Sequence, residues 1–286
     1  MSIANFIPNV WSEAIERDLA VKCVFAEDCN RSYEGKIKEL GESVKILGVG
    51  KPTIYTIDRA DAGKKIHEAE ELQDLSTIMY INKMSYFHYQ VSDVDKLQAQ
   101  GDVMSAVNSE TSENLAAEMD AHIAQCALDK SVGKLFTTPK KVVVGTAASG
   151  EINVLDVLDD AVTKLYENNV ATTAKIVVNV SPRFYKLFRK EYGIKDTDNS
   201  EVLKTGRVAQ YGGILVKMSN NVATTSNGSV DNIMIRTQRA IAFANPYTST
   251  KAYEPQEFFS EAVKGFTLYQ AKVVRPKEML TIPVTY

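Results

Sequence analysis

Leu115, Met119, Ile123 and Ala127 recur every four residues and form one apolar stripe. The helix that carries this stripe is expected to open near Ser92 and to run to about Asp129, with a candidate break at Gly101. Ser92 and Asp95 resemble a capping box, with Asp where Glu or Gln is usual. A helix of roughly 35 residues would be about 50 Å long at 1.5 Å per residue. It reads as a spine across the molecule rather than as one member of a bundle, and the other segments must be arranged along it.

Before the spine, residues 9–25 have amphipathic helical spacing, with Trp11, Ile15 and Leu19 on one strip. This helix precedes anything that looks like a core, so it must dock on its own domain or on a neighbour. Residues 31–91 hold short strand candidates, "SVKILGVG", "TIYTI" and "STIMYINKMSYFHYQV". The charged interruption of residues 59–72 lies between them. Two β arms with a polar tip give a long hairpin or flap that buries little by itself.

After the spine, "KKVVVGTAASGE" reads as a strand-to-loop break and a domain boundary. Asn153 is a helix cap, with Val154, Leu155, Leu158, Ala161, Val162 and Leu165 on one face. "KIVVNV" is a buried strand, and Ser181-Pro182 starts the next helix. "RVAQY" and "ILVKM" flank Gly212-Gly213, a pair suited to the positive φ of a tight hairpin turn. "NIMIRT" and "AIAFA" are further strands. Two terminal strands follow, broken at Arg275-Pro276.

The chain has 286 residues, of which 44% are hydrophobic, enough for one large or two modest cored domains. Its net charge of −3 argues against a protein whose main task is gripping nucleic acid. Cys23, Cys29 and Cys126 form no Cys-x-x-Cys pair and read as reduced, buried thiols of an intracellular protein. The first ten residues lack signal-peptide character, and no apolar run approaches the ~20 residues that span a bilayer.

Chemistry is sparse. "GVGKPT" fails the phosphate-loop pattern, because Lys45 stands where the first glycine belongs and Pro52 where Ser or Thr should follow Lys51. His67-Glu68 begins a zinc-protease motif, but Glu71 occupies the second histidine position. His88 and His122 are dispersed and read as packing or surface residues. Asp196 and Asp198 read as a solvated turn. Stacking of bases on "YFHYQV" is outweighed by cross-strand packing. We therefore expect no catalytic, cofactor-binding or metal-binding residues, no cofactor and no enzymatic activity.

Taken in order, the segments resemble the major capsid proteins of tailed bacteriophages, of the Hong Kong 97 type fold. "IPNVWSEAI" is similar to the family's opening. "VSDVDKLQ" and "LAAEMDAHIA" resemble its spine helix, and "VVNVSPRFYKLF" its strand-Pro-helix step. "TGRVAQYGGILVKMSNNV" resembles its hairpin, with Gly206, Gly213, Val216 and Ser219 in matching places. "AVKGFTLYQAKVVRPKEM" is similar to its closing strand. The resemblance implies an α+β chain with an N-terminal arm (1–30) and an extended β-hairpin loop (31–91). It also implies a peripheral domain with the spine helix (92–143 and 246–286) and a mixed α/β axial domain (144–245).

The function so implied is a coat subunit that assembles with its own copies into hexamers and pentamers of an icosahedral shell around double-stranded DNA. The implied partners are a portal protein and weakly, non-specifically held packaged DNA, with no membrane. There is room for separate scaffolding and decoration proteins, since no scaffolding segment or large inserted domain is evident. Assembly would take place in the host bacterial cytoplasm and the product would be the virion. Lys134, Lys140 and Lys141 are candidates to face the lumen, with a solvated surface the plainer reading. Two alternatives are an encapsulin-like bacterial compartment and a small α/β enzyme built on residues 144–245.

Overall fold

The computed structural model describes residues 23–32, 43–46, 54, 56, 77–92, 103–194, 210–255 and 260–286. The first described piece is a strap, residues 23–30, holding one 3-10 turn, Ala26–Asp28. Strands β1 (Ser43–Ile46) and β2 (Thr77–Tyr80) pair antiparallel as a two-stranded ribbon. Strand β3 (Lys83–Ser92) follows, and then helix α1 (Val103–Ala124). Most of the N-terminal helix expectation, "TIYTI", and the charged interruption lie outside the described residues.

All four residues of the expected stripe are buried: Leu115, Met119 and Ile123 on α1, and Ala127 in the 3-10 turn Gln125–Leu128 that ends it. The 22 described helical residues span about 33 Å at 1.5 Å per residue. Ser92, expected to open this helix, is the last residue of β3 and pairs with Ser260. Asp95 and Gly101 lie outside the described residues.

Short strands β4 (Gly133–Lys134), β5 (Lys140–Val143) and β6 (Glu151–Asn153) lead to helix α2 (Val154–Glu167). Asn153 caps α2 as expected, its side chain accepting from Leu155 N at 2.8 Å. The buried face of α2 is Val154, Leu155, Val157, Leu158, Ala161 and Leu165, with Val162 only partly buried. Each large aliphatic side chain there contributes roughly 1.5–3 kcal/mol on burial. Strand β7 (Ile176–Val180) is buried along its whole length. Helix α3 (Pro182–Ile194) begins with proline at its first position, and Ser181 Oγ accepts from Phe184 N at 3.3 Å.

Strands β8 (Gln210–Tyr211) and β9 (Ile214–Met218) form the expected hairpin. Gly212 (φ 52°) and Gly213 (φ 84°) fill a two-residue turn that needs positive φ at both positions. Strands β10 (Thr224–Thr225), β11 (Val230–Thr237), β12 (Ile241–Tyr253), β13 (Ser260–Val273) and β14 (Met279–Thr285) complete the chain. Arg275-Pro276 breaks β13 from β14 through a 3-10 turn, Pro276–Glu278.

A nine-stranded sheet runs β6-β5-β14-β11-β7-β9-β8, with β10 added on β11 and β4 on β14. A separate three-stranded antiparallel sheet runs β12-β13-β3. The long pair β12–β13 is interrupted between Ala244 and Tyr247, where Pro246 cannot donate to a ladder. β14 belongs to the segment that the sequence reading grouped with the spine, yet it lies beside β11 in the large sheet. Its apolar residues Leu280, Ile282 and Val284 require cover from α2 and α3, which only that sheet receives.

Strand alternation divides the core in two. Ile233 and Ile235 of β11 face the α2/α3 layer with Val178, Val180, Ile214 and Val216. Met234 faces the opposite way, into a second cluster with α1, Phe25, Cys29 and Phe243. A third, smaller cluster packs the β1–β2 ribbon onto β12 and β13 through Val44, Ile46, Met79, Ala242, Ala244 and Leu268.

Candidate interaction site

The strap crosses the side of the nine-stranded sheet opposite α2 and α3, packed with α1, and polar groups fasten it. Its 3-10 turn has no side-chain cap of its own. Asp120 of α1 fills that role from across the molecule, accepting from Val24 N at 2.7 Å and from Phe25 N at 3.0 Å. Arg236 of β11, fully buried, donates to Phe25 O at 2.9 Å and to Asp28 O. The buried Asp28 carboxylate accepts from Lys175 Nζ at 3.1 Å. Its other oxygen lies 2.6 Å from Lys217 Nζ as an ion pair without hydrogen-bond geometry. Asn30 N donates to Ile241 O at 2.9 Å and Phe243 N to Asn30 O at 3.0 Å, which ties the strap to β12.

The charges follow from this setting. Burial alone pushes the Asp28 carboxyl up, but the ammonium groups of Lys217 and Lys175 outweigh it and hold the group below its ordinary value. Asp120 moves the other way, because burial exceeds the help of three backbone N–H groups. Burial also pushes Cys23 and Cys126 up to about 12, so these thiols stay protonated. Pairs this buried add little net stability, whereas removing one partner is costly.

The three-stranded sheet has one face on α1, while the β1–β2 ribbon covers part of the other through Leu268 and leaves the rest exposed. Phe87 and Tyr89 of β3 turn toward α1, where Tyr89 Oη donates to Asn108 Oδ1 at 2.6 Å. Met84 and Tyr86 alternate with them and stand out, 57% and 75% exposed. β3 is an edge strand, and a groove of about 440 Å³ lies between it and α1, lined by Met84, Tyr86, Phe87, Thr111, Leu115 and Glu118 among others. Large exposed apolar side chains on an edge strand mark an interaction surface.

The histidines of the described residues are dispersed. His88 is exposed and 2.7 Å from Tyr253 Oη, while His122 is half-buried and 2.9 Å from Gln270 Oε1. His67, residues 48–53, Asp196 and Asp198 lie outside the described residues. Among the described residues no group of three or more His, Cys, Asp or Glu side chains is placed to hold a metal, and no helix is long and apolar enough to cross a membrane. Lys140 stacks over Phe136 at 4.6 Å and Lys141 pairs with Glu151 at 3.0 Å. Sequence reading passed over Asp28, Asp120, Arg236 and Lys217. Their only signal was charge inside or beside apolar runs, as in "NIMIRT".

No protein-family model and no curated protein matches the chain. Solved structures do. A chain of Mycobacterium phage Che8 is 24% identical, with 91% of this chain and 90% of that one covered at a TM-score of 0.67. The capsid structure of the cyanophage P-SCSP1u is 14% identical, with 92% and 88% covered at a TM-score of 0.68. The chain has the tailed-phage capsid fold. This α+β capsid fold of the Hong Kong 97 type extends to a virus-like particle from Pyrococcus furiosus, 12% identical, with 96% and 98% covered at a TM-score of 0.56. The match runs along the whole capsid fold, as the ordered sequence motifs implied.

Proposed function

We propose that the chain is the coat subunit of a tailed bacteriophage, assembling through copies of itself into an icosahedral shell of hexamers and pentamers around double-stranded DNA. The observation that carries this reading is the near full-length likeness to the cyanophage capsid, over 92% of this chain and 88% of that one. The exposed β3 edge supports it, since a solitary subunit leaves Met84 and Tyr86 in water. The role is structural rather than enzymatic. We assign residues 1–30 to an N-terminal arm, 31–91 to the extended loop, 92–143 with 246–286 to the peripheral domain, and 144–245 to the axial domain, with β14 as a strand that the peripheral segment lends to the axial domain's sheet. Portal, scaffolding and decoration proteins are the further partners this reading calls for.

An encapsulin-like compartment keeps the fold and changes the contents. The specific observation in its favour is the Pyrococcus particle, whose chain is covered at 98%. Cryo-electron microscopy of particles purified from cells that express the chain with its genomic neighbours separates the two. DNA-filled shells with one portal vertex support the virion, and uniform shells around a protein cargo support the compartment. A compact monomer at high concentration, with its neighbours' products present, contradicts both.

A further inference from the structure

On the face of the three-stranded sheet away from α1, beyond the part that the β1–β2 ribbon covers, three cross-strand neighbours carry positive or protonatable groups. Lys251 of β12 pairs with Lys264 of β13, and Lys264 pairs with His88 of β3. Cross-strand partners project to the same face. Lys251, Lys264 and His88 are all exposed, and neither lysine pairs with a carboxylate among the described residues. Lys264 Nζ sits 4.9 Å from the centre of the Tyr253 ring, and His88 stacks on the same ring at 5.9 Å. Tyr86 and Phe266 form the adjoining row. Like charges directly opposite on a sheet destabilise it, and a carboxylate-bearing partner relieves that repulsion.

The chain contains such a partner. Residues 68–74, outside the described residues, read "EAEELQD" and hold Glu68, Glu70, Glu71 and Asp74 with no basic residue. Every subunit carries one basic row and one acidic run, so copies supply the two in equal number. We propose that the Lys251–Lys264–His88 row is the docking site for the acidic run 68–74 of a second copy. This rests on the shell reading and names the surface on which the extended loop of one subunit meets the next. The net charge of −3 favours this occupant over nucleic acid.

The test is made on the full chain with two charge-reversed variants, Lys251→Glu with Lys264→Glu, and Glu70→Lys with Glu71→Lys. Each is checked for wild-type melting and scored for the fraction that sediments as particles. Alone, each is expected to lose at least about tenfold in particle yield, because like charges face each other across the contact. Mixed together, they are expected to recover a substantial share, since each supplies what the other lacks. Lys251→Gln with Lys264→Gln provides a neutral, similarly shaped control for misfolding and is expected to show a smaller loss. Wild-type yield from the reversed lysines overturns the proposal, as does unchanged yield with loss of bound DNA only. Recovery only when all four changes share one chain also overturns it, placing the acidic run on its own subunit. If the wild-type chain forms no particles, the shell reading fails first, and that result is distinct from the others.

Discussion

Gly265 of β13 lies directly beneath the ring of Phe87 on β3. A Cβ added to Gly265 would stand 2.5 Å from Phe87 Cζ and 2.8 Å from the backbone oxygen of Ser249. The glycine lets an aromatic ring lie across the strand pair and reach the α1 cluster, to which Phe87 contributes. Gly265→Ala is expected to destabilise the chain by about 1–3 kcal/mol, the usual range for overpacking. Phe87→Leu should relieve part of that cost, so the double variant should melt above the sum of the two single losses. Strict additivity would contradict the contact.

Arg236 holds two strap carbonyls from a fully buried position. Arg236→Met keeps the bulk and removes the donors, leaving those two buried carbonyls without these partners. The expected loss is about 3 kcal/mol, read by denaturant unfolding. A change within about 0.5 kcal/mol, typical of an uninvolved surface site, would show that the strap is not fastened there.

Strap docking should depend on pH through Asp28. Its carboxyl lies below the ordinary 3.8 in the folded chain, so its contribution is fully present above 3.8 and is lost as pH falls through the lower folded value. Lys217 is raised above 10.5, so its contribution is present below 10.5 and fades only as pH rises through the higher folded value. Asp120, raised by burial, acts oppositely and favours the docked strap more as pH falls. Comparison with Asp28→Asn isolates the first term. Hydrogen exchange over residues 23–32 should show a protection gap between wild type and variant at pH 7 that closes below pH 3.8. A gap unchanged down to pH 3 would contradict the linkage.

Local signals were readable wherever burial follows a short period. The α1 stripe, the α2 cap at Asn153, the Ser181-Pro182 start, the all-buried β7 and the Gly212-Gly213 turn each depend on neighbours within a few residues. The strap does not. Asp120 meets Val24 across 96 positions and Lys217 meets Glu27 across 190, and no window of sequence records such pairs. Arg236 reads locally as an exposed charge on a strand, and only the strap's carbonyls explain why it is buried. The basic row likewise exists only once β12, β13 and β3 are in register.

At the β8–β9 turn the side of Gly213 is open, with nothing within 4 Å of an added Cβ, so a substitution there meets backbone strain alone. Gly213→Val is expected to cost about 1–2 kcal/mol, the penalty of a left-handed conformation for a residue with a Cβ. Gly213→Asn should cost less, since Asn visits that region readily. Thermal unfolding of the two variants checks the order, and equal losses would count against the turn geometry.

Hydrogen exchange compared between dissociated subunits and assembled particles goes most directly to the central claim that this fold is completed by its own copies. Strands β7 and β11 and the strap are expected to be protected in both states. Residues 84–88 of the β3 edge are expected to gain protection only in the particles. Equal protection of that edge in both states, or a chain that never leaves the monomer, would contradict the account.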